Sequence, residues 1–374
     1  MPRVVIAGVS TRAAAESAAS AGFDVTAIDA FADVDQHASV RALSIPRPFS
    51  ARAAARATRA VDCDAVAYLS NFENHPDDVR ELAGGRELWG NPPAVIRLVR
   101  DPERLAHALR ERKIPVPRVI TRVGDEAPDD REWLVKPLAS GGGHAVHRWV
   151  RGSRIPRACY LQELIEGTPG SVVFVAARGQ TKPLGVTRQL VGDPAFGAAN
   201  YRYCGNILAP DAGSGALVDG ARIVAHAVVE EFGLVGVNGL DFVVRDGCPF
   251  AVEVNPRWTS SMELVERACG VSVFGAHAAA CTSGTLPEFE FLAAQSARDA
   301  VGKAVVFARE DVTIGDTTGW LEDSSVRDVP RSGERIRTGR PVCTVFAAGR
   351  DDASCYAALV ARSDRVYADL RGFR

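Results

Sequence analysis

Apolar positions in the first third of the chain switch between short β-branched runs and alanine-rich stretches of helical spacing. Residues 3–7 read as a strand, Gly8-Val9-Ser10-Thr11-Arg12 as a turn, and an alanine-rich helix runs to about Ala21. A second strand spans Asp24 to Ile28 and ends at Asp29, and a third spans Ala65 to Leu69. Strand, helix, strand in this order predicts a small parallel α/β unit. The turn at 8–12 lacks the Gly-x-Gly-x-x-Gly spacing of a dinucleotide site. Trp89-Gly90-Asn91-Pro92-Pro93 interrupts the pattern and predicts a domain boundary. Helical periodicity from Ala94 to Arg112 follows and stops at Ile114-Pro115-Val116-Pro117.

Further on, Trp133 to Pro137 predicts a strand, 138–144 a flexible loop, and Ala145 to Val150 another strand. Residues 160–176 read as a short segment, a turn and a strong strand, and a helix is expected from about Ser214 to Phe232. Two strands then flank Asp246-Gly247, and strand character returns at Ala304–Phe307 and at 340–347. A final helix is expected from about Asp352 to Ser363.

The pair of strands around Asp246-Gly247 carries the most chemistry. A three-residue loop from Asp246 to Cys248, with Gly247 in the left-handed conformation, pairs Asp241 with Glu253 across the ladder. Asn255, two residues on, shares their face. Oxygen donors on one rigid face suit Mg²⁺ or Mn²⁺. The plainer alternative is an exposed hairpin with a wet polar face, although this one ends in Asn255-Pro256-Arg257 rather than in a Lys/Glu mixture.

Lys136 is followed by Ser140-Gly141-Gly142-Gly143, where missing Cβ atoms let a backbone approach phosphates. The lysine precedes the glycines and a strand follows them, the reverse of a P-loop, so the order suggests a hairpin lid over a nucleotide. Glycine-rich hairpin tips also arise for conformational reasons alone.

Composition narrows the class. With 374 residues and 47% apolar content the chain can build two or three domains. A net charge of −2 gives no basic field for nucleic acid. No apolar run approaches the roughly 18 residues needed to span a bilayer, so no membrane partner is expected. The first residues enter a strand directly, without a signal peptide's apolar stretch, and a cytoplasmic location is the expectation. Eight cysteines without a Cys-x-x-Cys read as reduced thiols. Only Lys113, Lys136, Lys182 and Lys303 among 44 basic residues are lysine, which draws attention to Lys136 as a place for a compact ammonium.

Taken in order, these pieces resemble the ATP-grasp superfamily of ATP-dependent ligases, in its carboxylate–amine ligase and biotin-carboxylase-like branches. The matching features are Ile114-Pro115-Val116-Pro117, Val135-Lys136-Pro137 with its glycine loop, Glu163-Leu164-Ile165-Glu166-Gly167, Asp241, and Glu253-Val254-Asn255-Pro256-Arg257. The likeness extends to about residue 350, because 339–347 looks like the small C-terminal lobe of carboxylating members. It implies an α/β ATP-grasp fold with an N-terminal parallel α/β domain (1–93) and an ATP-grasp domain (94–300). The latter would divide into a lid lobe (about 117–163) and a catalytic lobe (about 164–300) that enclose ATP, before a small β-rich C-terminal lobe (301–374).

The resemblance also implies roles. Lys136 would contact nucleotide phosphate, Ser140, Gly141, Gly142 and Gly143 would cover the phosphates, and Gln162, Glu163 and Leu164 would form the adenine-side hinge. Asp241, Glu253 and Asn255 match the magnesium ligands, and Arg257 the arginine that steadies the transferred phosphoryl group or the anionic substrate. Two positions depart from the family: Asp101 is followed by Pro102 where many relatives carry lysine, and Gly170-Ser171 stands where an acid often holds the ribose. Thr187-Arg188-Gln189 with 201–206 is a candidate substrate wall, with Arg188, Tyr203 and Asn206 as contacts, or else an ordinary ordered loop. The implied activity is ADP-forming ligation of a small-molecule carboxylate to an amine through an acyl phosphate. Carboxylation with bicarbonate is the alternative, and a catalytically silent nucleotide-binding regulator the second. Similar chains occur in one-carbon pathways with methanopterin-type cofactors, which would make the acceptor a pterin or glutamyl group. Homodimers are common in the superfamily.

Overall fold

The computed structural model describes residues 1–122, 128, 130–210, 215–290 and 299–373. Strands β1 (Arg3–Ala7), β2 (Asp24–Asp29), β3 (Arg41–Ser44), β4 (Ala65–Tyr68) and β5 (Glu87–Trp89) form a parallel sheet in the order β3-β2-β1-β4-β5. Strand order reverses between β1 and β4, the kind of crevice at which open α/β sheets bind ligands. The expected strands and the helix α1 (Arg12–Ser20) are present, and α2 (Ala51–Ala57) and α3 (Pro76–Ala83) precede β4 and β5 respectively. β3 is missing from the sequence reading because its Arg41–Ser44 run is half polar and largely exposed, and β5 because three residues carry no periodicity.

The single helix expected over 94–112 is two, α4 (Pro93–Val99) and α5 (Pro102–Glu111). Asp101 breaks the run: its carboxylate accepts from Glu103 N at 3.0 Å and Arg104 N at 3.2 Å, and Pro102 occupies the first helical turn, where a missing N–H costs nothing. Arg100 is thereby left in the bend between the two helices.

A four-stranded sheet follows, in the order β6 (Val119–Ile120), β9 (Cys159–Glu163), β7 (Trp133–Pro137), β8 (His147–Arg148). The strand expected over 145–150 shrinks to two residues, because Ala145 takes a positive φ of 61°. Trp133, Val135, Ile155 and Leu161 give this small sheet its own core.

The largest sheet has eight strands in the order β14-β13-β10-β11-β12-β15-β19-β17. These are β10 (Thr168–Ala177), β11 (Gln180–Val191), β12 (Tyr203–Leu208), β13 (Gly236–Arg245), β14 (Cys248–Asn255), β15 (Ala300–Phe307), β17 (Val326–Arg327) and β19 (Pro341–Gly349), while β16 (Val312–Thr313) and β18 (Arg335–Ile336) pair with each other. One face packs on the helix Gly215–Phe232 through Val172, Phe174, Leu240, Phe242 and Val254. On the other face Val173, Val175 and Val237 share a core with Ile6, Trp89 and the helices Ser260–Cys269 and Val273–Thr282. Strands of the segment expected as a C-terminal lobe continue this same sheet, and the last helix runs from Asp352 to Gly372, nine residues past the expected end. No helix among the described residues is long and apolar enough to cross a membrane.

Candidate active site

β13 and β14 do put Asp241 opposite Glu253, but not by the loop expected. The turn has two residues, Asp246 and Gly247, with φ of 53° and 75°, the left-handed pair that closes a tight hairpin. From Arg245 opposite Cys248 the register runs evenly to Phe242 opposite Ala251, and that register would carry Asp241 opposite Val252. A β-bulge at this point passes over Val252 and restores the Asp241–Glu253 pair.

Donors hold both carboxylates. Gln189 Nε2 donates to Asp241 Oδ1 at 2.8 Å and Asn255 Nδ2 to Oδ2 at 2.9 Å. Arg100 pairs with Glu253 Oε1, and Lys136 Nζ lies 3.9 Å from Oε2. Burial and the neighbouring Glu253 push Asp241 up to about 6, against the pull of Asn255 and Arg257. Burial also works against the charge on Glu253, yet Arg100 and Lys136 bring it down to about 2. The two acids therefore divide unequally: one is firmly ionised, and the other is strained by its neighbour's charge.

Lys136, on β7, is nine-tenths buried, and its ammonium donates to Gln162 Oε1 at 3.1 Å. Burial lowers its proton affinity, but Tyr160 and Glu253 leave its pKa above the ordinary lysine value. Gln162 in turn donates to Val252 O at 3.1 Å, tying the small sheet to the hairpin. Between them lies a cleft that combines apolar Val99, Leu105, Val116 and Val119 with Arg100, Lys136, Gln162 and Glu253.

A family model described as ATP-grasp domain matches residues 99–261, the stretch that holds this cleft. The chain carries an ATP-grasp domain. It is 25% identical over 120 residues to an uncharacterized protein of Methanocaldococcus jannaschii (32% of this chain, 28% of that one). It is 26% identical over 245 residues to N5-carboxyaminoimidazole ribonucleotide synthase of Brucella melitensis (60% and 64%). The chain thus spans less than two thirds of the length of both relatives. Among solved structures, L-amino acid ligase from Bacillus licheniformis matches with a TM-score of 0.70 at 16% identity, covering 98% of this chain and 97% of that one. The ATP-grasp fold is therefore shared well beyond the domain match.

Other expected contacts of this ATP-grasp cleft fall out unevenly. Ser140 O accepts from Arg100 at 3.3 Å, and Gly142 O accepts from Tyr203 N at 3.1 Å. Gly143 sits so close to the 201–203 backbone that a Cβ would stand 1.8 Å from Tyr201 O. Glu163 turns from Gln162's side and binds Arg131 at 2.9 Å and Arg118 N at 3.0 Å, and Leu164 N donates to Glu132 O at 2.9 Å.

The substrate wall divides by strand alternation. Gln189 and Thr187 share the face of Asp241, whereas Arg188 points away and makes a two-pronged pair with Asp352 at 2.7 and 2.8 Å. Arg188 is thus apart from the site, which corrects its assignment as a substrate contact. Asn206 lies on the site's face: it donates to Thr187 Oγ1 at 2.8 Å and accepts from Tyr203. Ladder register lines up Glu253, Asp241, Ser171 and Thr187, and one step along, Gln189, Asn206 and Lys303. A polar row consequently crosses six strands, and Ser171 belongs to it.

Two residues of the site had no sequence signal. Arg100 fills the cleft from the α4–α5 bend, beside Asp101-Pro102 where a lysine was missed. Glu73, 3% exposed in the turn after β4, accepts from Arg257 Nε at 2.9 Å and Nη2 at 2.6 Å. Its other oxygen is buried with no hydrogen-bond partner among the described residues. Arg257 Nη2 also reaches Asn255 Oδ1 at 3.3 Å, so Glu73, Arg257, Asn255 and Asp241 form one chain of contacts.

Proposed function

We propose that this protein is an ATP-dependent carbon–nitrogen ligase that activates a substrate carboxylate as an acyl phosphate, joins it to an amine, and releases ADP and phosphate. The observation that carries the amine half is Glu73: a buried carboxylate, paired on one oxygen with Arg257 and, among the described residues, unpartnered on the other, suits an N–H donor. Bicarbonate, an anion with a single O–H, is a poorer match for a pocket that already holds a negative carboxylate.

The donor set fits a divalent cation. Two facing carboxylates, one destabilised by the other, are relieved by a cation between them. Among the described residues no group of three or more His, Cys, Asp or Glu could hold a metal alone. Mg²⁺ takes one or two carboxylates and completes its shell with phosphate oxygens, so Asp241, Glu253 and the Asn255 amide oxygen would hold it together with ATP. Bound there, it would neutralise charge developing on the transferred phosphoryl group.

The chain's own residues do the rest. Lys136 and Arg257 stabilise phosphoryl and acyl phosphate oxygens through charge-assisted hydrogen bonds. Ser140–Gly143 docks on 201–203 and shields the cleft from water. Glu73 orients the amine and takes its proton as nitrogen attacks the acyl carbon and phosphate leaves. The polar row from Asp241 to Asn206 is the surface on which the carboxylate substrate would lie.

Bicarbonate-dependent carboxylation is the second reading, favoured by the similarity to the Brucella synthase. A screen of ADP release against carboxylates, amines and bicarbonate decides between them. ADP release that requires both a carboxylate and an amine is expected, and release driven by bicarbonate without a carboxylate would overturn the amide reading.

A further inference from the structure

Arg100 is held in the bend between α4 and α5, and its side chain is 13% exposed. Beyond its pair with Glu253 Oε1, its hydrogen bonds among the described residues are long ones to neutral oxygens: Val254 O and Asn74 Oδ1 at 3.4 Å and Ser140 O at 3.3 Å. Its Nε is buried without a hydrogen-bond partner among the described residues. Lys136 faces the second oxygen of Glu253, and amide N–H groups take both oxygens of Asp241.

A divalent ion entering alone would therefore have to displace Arg100 from Glu253 and leave a buried guanidinium with no directly paired anion and the longer-range pull of Glu73 in its place, a costly arrangement. A polyphosphate arriving with the ion changes the balance, since its oxygens replace the anion Arg100 gives up and offer the unpaired Nε an acceptor. Weak remaining contacts oppose the move little.

Resting on the metal-assisted reading above, we propose that Arg100 is a placeholder cation: it occupies Glu253 until a metal–nucleotide complex arrives, then passes to the phosphates. The site consequently rejects bare divalent ions, and metal loads only with nucleotide. Arg100 therefore acts twice in this scheme, first by holding Glu253 and then by contacting the nucleotide phosphates.

Free Mn²⁺ measured by electron paramagnetic resonance, with and without ADP, tests this on the full chain. Wild type is expected to bind Mn²⁺ at least about tenfold more tightly with ADP than without. Arg100→Gln should raise affinity for bare Mn²⁺ about tenfold and weaken ADP binding, while Arg100→Lys keeps the wild-type gap. Arg100→Met is a second neutral variant, so one poorly folded protein does not decide the matter. Neutral variants that bind bare Mn²⁺ no better than wild type overturn the proposal. Equal wild-type affinity with and without ADP overturns it too, but leaves the metal reading standing. Absence of Mn²⁺ binding even with ADP overturns both.

Discussion

Glu253 is the residue on which most of the cleft converges, since Arg100, Lys136 and Asp241 all face it. Glu253→Gln keeps its size and removes its charge, and should cut magnesium-dependent ADP release by about 100-fold or more. Glu73→Gln, by contrast, should lower amine-dependent turnover while leaving ADP binding within about twofold of wild type, because Glu73 touches Arg257, which stabilises the transferred phosphoryl group rather than the phosphates that stay on ADP. Titrating the amine in steady-state assays, with ADP affinity measured separately, checks the difference. Asp241, Glu253 and Asn255 were legible in the sequence because alternation and a short turn keep their geometry local. Arg100 and Glu73 were not, since their partners lie 153 and 184 residues away. A separate residue reports on stability. His277 is buried, accepts from Val237 N at 2.9 Å on Nδ1, and burial lowers its pKa to about 4. It stays neutral in the fold while the unfolded chain takes up a proton below its ordinary value. Stability should therefore fall as the pH drops from about 6.5 to about 4, by roughly 1.4 kcal/mol per pH unit from this group. Urea unfolding at several pH values should show a shallower loss for His277→Gln than for wild type.

Among the elements, the Asp246–Gly247 hairpin and the glycine flap shape the cleft. The hairpin was legible as two strands around Asp246-Gly247, and its register came out right through two compensating differences: a shorter turn and a bulge at Val252. The bulge shifts the alternation, so that buried Ala251 and Val254 lie three residues apart on one face, but an apolar Val252 at the extra position hides that shift in the sequence. The glycine flap was legible from Gly141–Gly143, whereas its docking on 201–203 depends on a loop some 60 residues later and was not. Gly143→Ala would press a Cβ on Tyr201 O at a φ of 71°. The expected result is an ATP KM raised about tenfold. Faster hydrogen exchange should accompany it over 140–146, with little change in global unfolding.

Across the whole molecule, a buried charge network joins parts that are far apart in sequence. Arg12, wholly buried at the start of the first helix, pairs with Glu16 at 2.9 Å, Glu263 at 2.7 Å and Asp328 at 2.7 Å, and Lys303 meets Glu263 at 2.7 Å. Arg12→Met leaves Asp328 without its ion-pair partner, while Glu263 keeps Lys303, and should cost about 3 kcal/mol in urea unfolding. The parallel α/β unit was legible from its strand–helix rhythm, but the order of the large sheet was not, because its neighbours are set by long-range pairing. β19 lies between β15 and β17. In a polypeptide still leaving the ribosome, the platform beneath Asp241 and Glu253 keeps an open border until Pro341–Gly349 emerges. Unpaired borders of that kind recruit strands from other chains. Messages cut short upstream of residue 341 should accordingly yield aggregates rather than a smaller working enzyme.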